Sequence, residues 1–195
     1  MRADARRNYE ALVATARAVF VEQGVEAPLD EIARRTGVGA GTLYRHFPTR
    51  NDLVAAVYLD DINAMCEQAE ELGKTHEPRE AVDAYLDLQL GFAFRKLGLH
   101  KALKEMLAEH PDQSETLSVC RSRLVDIVDM LLARAQEAGA VRSDVDGQML
   151  FKLVHGVAMA CEITPEAAGP MLAIVRDGLL RPAATNAATT ATTAE

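Results

Sequence analysis

Nowhere in the 195 residues does an apolar run approach the roughly 18 to 20 positions that span a bilayer, which predicts a chain with no membrane partner. The N-terminus, MRADARRNYE, has basic residues with no apolar stretch behind them, so a secretory signal is not expected and a cytoplasmic location is. Cysteine is scarce: Cys66, Cys120 and Cys161 are odd in number, widely spaced and without a CxxC pair. That excludes a disulfide frame or a zinc site and predicts reduced thiols used as small core residues. The sequence also lacks HExxH, GxSxG and P-loop signatures. The residues three before its five histidines are Leu43, Gly73, Leu97, Leu107 and Lys152, none a carboxylate, so the Glu-xx-His pairs of a helical di-metal site are missing too. The expectation is a chain that is not an enzyme and needs neither metal nor cofactor.

What is present is a helical pattern. Hydrophobic residues make up 49% of the chain, enough for a sizeable core, and apolar steps of three and four recur with no alternating strand pattern between hairpin turns. The fold class is therefore predicted as all-α with about nine helices. Leu12, Ala16, Val19 and Phe20 keep helical spacing up to Gly24, giving a first helix over 5–23. Short helices follow from Pro28 to Thr36 and over 40–46. Thr49 and Asp52 resemble a capping box that starts a fourth helix near 50, running into the seventies. Breaks at 76–78, Gly98, His110-Pro111, Gly139 and Thr164-Pro165 predict further helices near 78–97, 100–109, 114–138, 144–162 and 166–180. The Ala/Thr-rich residues 182–195 have nothing apolar to bury and are expected to be disordered.

Charge is unevenly spread. The whole chain carries a formal −8, yet residues 1–52 hold 8 Lys+Arg against 7 Asp+Glu (+1), leaving 13 against 22 (−9) for the rest. Acidity of that size argues against nucleic acid for the second part alone. The first part has the more specific content: LDEIARRTGVGAGTLYRHF at 29–47 has the spacing of a helix-turn-helix. Ala33 is small where two helices touch, Gly37 supplies the left-handed turn residue, and Leu43 locks the second helix, with Ile32, Val38 and Phe47 completing the shared core. Left outward are Ala40, Gly41, Thr42, Tyr44, Arg45 and His46. Small residues allow a helix to approach base edges in a major groove, where Thr42 and Arg45 can read them. Tyr44 and His46 are better suited as donors to phosphate, and Arg50 adds charge at the next helix start.

YEALVATARAVFVEQG followed by LDEIARRTGVGAGTLYRHFPTRNDL closely resembles the N-terminal domain of the tetracycline-repressor (TetR) family of transcriptional regulators, over about residues 8–58. The resemblance implies a DNA-binding head at 1–52, a linking fourth helix, and a helical ligand-binding and dimerisation body at 53–181. Positions matching Thr42, Tyr44, His46 and Arg50 are typical DNA contacts in that family. One departure is Ala27-Pro28, where many relatives cap the second helix with a hydroxyl residue. A helix reading one groove selects too few bases, so a homodimer on a palindromic double-stranded operator is expected. Its predicted interface is Leu150, Leu153, Val154, Val157 and Cys161 with Met171, Leu172, Val175 and Leu179. The implied pocket for a small apolar or amphipathic effector draws on Tyr85, Gln89, Phe92, Met106, Leu107, Leu124, Ile127 and His155. The expected role is repression relieved by that molecule; the alternative is a DNA-binding regulator with no small ligand.

Overall fold

The computed structural model describes residues 3–109 and 111–180, excepting the side chains of residues 96, 98–118 and 120. Within them lie eight α-helices and no strand: α1 (Ala3–Gln23), α2 (Leu29–Thr36), α3 (Ala40–His46), α4 (Arg50–Thr75), α5 (Pro78–Glu109), α6 (Pro111–Glu137), α7 (Gly147–Ala160) and α8 (Ala168–Leu179), with a 3-10 turn at Pro165–Ala167 before the last. The all-α expectation holds. One predicted boundary does not: the helices expected at 78–97 and 100–109 are a single helix, α5, running through Gly98. A lone glycine costs a helix only about 1 kcal/mol relative to alanine, and no proline accompanies it to stop the backbone hydrogen bonds. The expected disorder of 182–195 lies outside the described residues.

Two apolar cores share one helix. Leu12, Val13, Ala16, Val19 and Phe20 of α1 meet Ile32, Ala33, Leu43 and Phe47, with Val38 partly buried against them. The first part of α4 closes this core with Leu53, Val54, Ala56 and Val57. Further along, Ile62, Met65, Cys66 and Ala69 turn the same helix into a second core with α5, α6, α7 and α8. Cys66 and Cys161 are both buried, as small core residues should be; the side chain of Cys120 lies outside the described residues.

Local chemistry fixes the ends. Gly24 and Gly37 adopt φ of 81° and 77°, the left-handed conformation that ends α1 and α2. Thr49 and Asp52 form the anticipated capping box: the Thr49 side chain accepts from the Asp52 amide at 3.2 Å, and the Asp52 carboxylate accepts from the Thr49 amide at 2.9 Å. The far end of α4 is held to α6, since the Gly73 carbonyl accepts from Arg134 and Arg123 pairs with Glu70 at 2.9 Å. A Cβ on Gly73 would come within 3.0 Å of Leu131, so glycine permits that close approach.

Candidate functional site

The second turn-linked helix of the head, α3, is anchored by one side chain and open on the other. Leu43 is fully buried, while Ala40, Gly41, Tyr44 and Arg45 are exposed and Thr42 is half-buried. The Gly39 carbonyl accepts from the Thr42 and Leu43 amides at 2.8 and 3.2 Å, starting the helix without a side-chain cap. A Cβ at Gly41 would meet nothing within 4 Å, so the absence of a side chain there leaves clear space in front of the helix. Arg45 donates Nε to the Gly41 carbonyl at 3.1 Å, which lays its guanidinium along the exposed face. His46 is partly withdrawn: its ring lies edge-on to Tyr9 at 6.1 Å and against Phe47 at 6.1 Å.

Arg50 differs from expectation. Instead of standing clear as a phosphate clamp, it donates Nη1 to the carbonyls of Val25 and Ala27 at 2.5 and 2.6 Å. The reason is local: these turn carbonyls precede Pro28, which gives α2 no side-chain cap, and a partly buried cation satisfies them. Arg34 and Arg35 are also committed. Glu31 accepts from both at 2.7–2.8 Å, and Arg35 reaches Glu22 at 2.6 Å. These two guanidinium groups hold the Glu31 carboxyl down to about 2. Arg45 is therefore the arginine of residues 29–47 that carries no ion pair among the described residues.

In the second core, Tyr85, Gln89, Phe92, Leu124 and Ile127 are buried, and His155 is half-buried, stacked on Phe151 at 6.2 Å. The side chains of Met106 and Leu107 lie outside the described residues. The predicted partner face needs correction. Leu150, Val154, Val157, Cys161, Leu172 and Leu179 are buried within the chain, and Val175 is half-buried against it; only Leu153 and Met171 face outward. The actual outer stripe of α7 is Met149, Leu153, Gly156, Ala160 and, beyond the helix end, Ile163, with Ile174 of α8 also exposed. Because α7 is apolar on nearly every side, its sequence offers two stripes, and helical spacing alone does not say which one its neighbours cover.

Comparison with known proteins agrees with this architecture. Residues 12–57 match the family model described as bacterial regulatory proteins, tetR family, and residues 77–181 match the C-terminal domain described as transcriptional regulator SbtR-like. The chain belongs to the tetR family. A TetR transcriptional regulator from Streptomyces coelicolor is 33% identical, with 90% of this chain and 99% of that one covered at a TM-score of 0.73. A TetR regulatory protein from Mycobacterium vanbaalenii is 32% identical over 92% and 99% of the two chains, at a TM-score of 0.69. An HTH-type transcriptional regulator of Staphylococcus aureus is 36% identical over 94 residues, 47% of this chain and 51% of its own. The chain thus spans about half the length of the curated relatives it matches. The family and these relatives are transcriptional regulators, not enzymes.

Two features of this TetR-family chain escape sequence reasoning. Arg17 of α1 donates to Asp61 at 2.6 Å and also pairs with Asp60, both on α4. Arg176 of α8 pairs with Asp83 and, at 2.9 Å, with Asp87 of α5. Both join residues more than 40 positions apart, which no spacing rule reveals. Among the described residues no group of three or more His, Cys, Asp or Glu is placed to hold a metal ion, and no helix is long and apolar enough to cross a membrane.

Proposed function

We propose that the chain is a dimeric DNA-binding transcriptional repressor, relieved by a small apolar or amphipathic molecule taken up by its second core. The observation that carries this reading is the exposed face of α3: a seven-residue helix locked by Leu43 and presenting Ala40, Gly41, Tyr44 and Arg45 outward. Ala40 and Gly41 bring the backbone close to base edges, Thr42 and Arg45 read them, and Tyr44 with His46 donate to phosphate. Arg50 acts through the turn it braces. The head is residues 1–52 with the first turns of α4, whose Leu53, Val54, Ala56 and Val57 close its core, and the body follows to residue 181.

The partner is a second copy. Six of the large apolar side chains exposed among the described residues, Met149, Leu153, Met159, Ile163, Met171 and Ile174, lie on or next to α7 and α8. Two α7–α8 pairs related by a twofold axis would form a four-helix interface and set two α3 helices at half-site spacing. An effector favouring a body conformation that tilts α4 would move the heads off that spacing. A coupling of about 1–3 kcal/mol would lower DNA affinity roughly 5- to 150-fold.

Selecting bound fragments from the source genome tests the reading. An inverted repeat bound at nanomolar protein, with affinity falling steeply as salt rises, is the expected result. Failure to retain any promoter fragment at low ionic strength would refute it. Light scattering at micromolar concentration should give twice the chain mass of 21.2 kDa.

A further inference from the structure

Apart from Tyr85, whose hydroxyl is also buried, Gln89 is the only side chain with an oxygen or nitrogen that is buried as a whole among the described residues, at 1% exposure. Its Nε2 donates to the Phe151 carbonyl on α7 at 3.1 Å. That bond fixes the amide, since reversing it would set two carbonyl oxygens against each other. Oε1, an acceptor, then has no donor in reach among the described residues. One helical turn earlier on α5, Tyr85 is equally buried and its hydroxyl also has no hydrogen-bond partner among the described residues. Burial, with the Cys66 thiol nearby, pushes the phenol's pKa up, so it stays protonated at neutral pH and can both donate and accept. Native cores pair nearly all such atoms, and two orphans on one stripe, followed by Phe92 a turn further on, are atoms suited to meet a ligand.

Building on the reading that the body takes a small effector, we infer that Tyr85 and Gln89 form its polar subsite. It takes an uncharged molecule carrying a hydroxyl or amide N–H on an apolar frame. The ligand's N–H or O–H donates to Gln89 Oε1, while its oxygen accepts from Tyr85 Oη–H. Charge is disfavoured because no described ionic side chain is buried there to pair with it, and a carboxylate would oppose Oε1.

The test is calorimetry on the full-length, DNA-free protein with matched probes: phenol against anisole, benzamide against N,N-dimethylbenzamide, and benzoate as the charged comparison. The donor-bearing member of each pair is expected to bind at least about tenfold more tightly than its methylated counterpart. Gln89→Leu, or Gln89→Met if leucine disturbs the fold, should bring each pair to parity. Tyr85→Phe, which is isosteric and keeps the Gln89–Phe151 bond, should weaken phenol and anisole together by about tenfold. Parity in the unaltered protein, no binding of any probe, benzoate matching benzamide, or a preference untouched in the Gln89 variant would overturn the inference. Operator binding is measured separately by fluorescence anisotropy. DNA binding with indifferent probes would sink the subsite alone, whereas probe preference without DNA binding would sink the regulator reading alone.

Discussion

Gly41 sets helix stability against the proposed approach to DNA. It lies within a helix, where glycine is less stable than alanine, and open space surrounds the position a Cβ would take. Gly41→Ala should therefore raise the melting temperature, by the equivalent of about 0.5–1 kcal/mol, while lowering affinity for every DNA site by obstructing the helix's approach. A substitution that stabilises the protein and weakens DNA binding together is hard to explain unless α3 enters a groove. Tyr44→Phe and His46→Ala should weaken binding to all sequences alike, and Arg45→Ala should relax discrimination among them; equal, uniform losses in anisotropy titrations of matched and mismatched operators would contradict this division. Glu31 supplies a pH test. Its folded pKa, near 2, lies below the ordinary 4.5, so its contribution to stability is present above about pH 4.5 and fades as pH falls toward 2. The melting-temperature gap between the unaltered protein and Glu31→Gln should accordingly narrow between pH 5 and pH 2.5.

At the scale of elements, α4 is the helix that contributes buried side chains to both cores. Its first half is fastened to the head by Arg50 on the Val25 and Ala27 carbonyls and by Arg17 on Asp60 and Asp61; its last turns are fastened to α6 through Glu70 and Gly73. A movement of α6 can reach the head along α4, and also through α5, which touches both α6 and α1. Arg17→Met leaves two adjacent aspartates without their shared cation, and should cost about 1 kcal/mol while speeding amide exchange where α1 meets α4. Unchanged exchange there would show the pair to be incidental. The capping box that begins α4 was legible as Thr49 and Asp52, since a cap is decided by residues three apart. The continuity of α5 through Gly98 was not, because a glycine's cost within a helix is small beside the packing that surrounds it.

For the whole molecule, the proposed dimer rests on the outer side of α7 and α8. Leu153→Asp changes an exposed residue and should leave circular dichroism intact while halving the mass seen by light scattering. Val154→Asp, one position on, buries a charge in the core and should unfold the chain, costing several kcal/mol. If both variants stayed dimeric and folded, the proposed interface would be wrong. The acidity of residues 53–195 fits such an assembly, because it discourages DNA from meeting the body and directs contact to the heads.

The helix-turn-helix was readable from residues 29–47 because every requirement there is local: a small contact residue, a left-handed glycine, an apolar lock and a small, polar outer face within nineteen positions. The all-α class followed from periodicity in the same way. Tertiary structure alone decided which of two apolar stripes on α7 turns inward, that Arg50 serves a turn instead of standing clear, and that the Tyr85 hydroxyl and Gln89 Oε1 share a buried stripe without a hydrogen-bond partner among the described residues. These depend on what lies opposite each side chain after the chain folds, and residues separated by dozens of positions leave no periodic trace of their meeting.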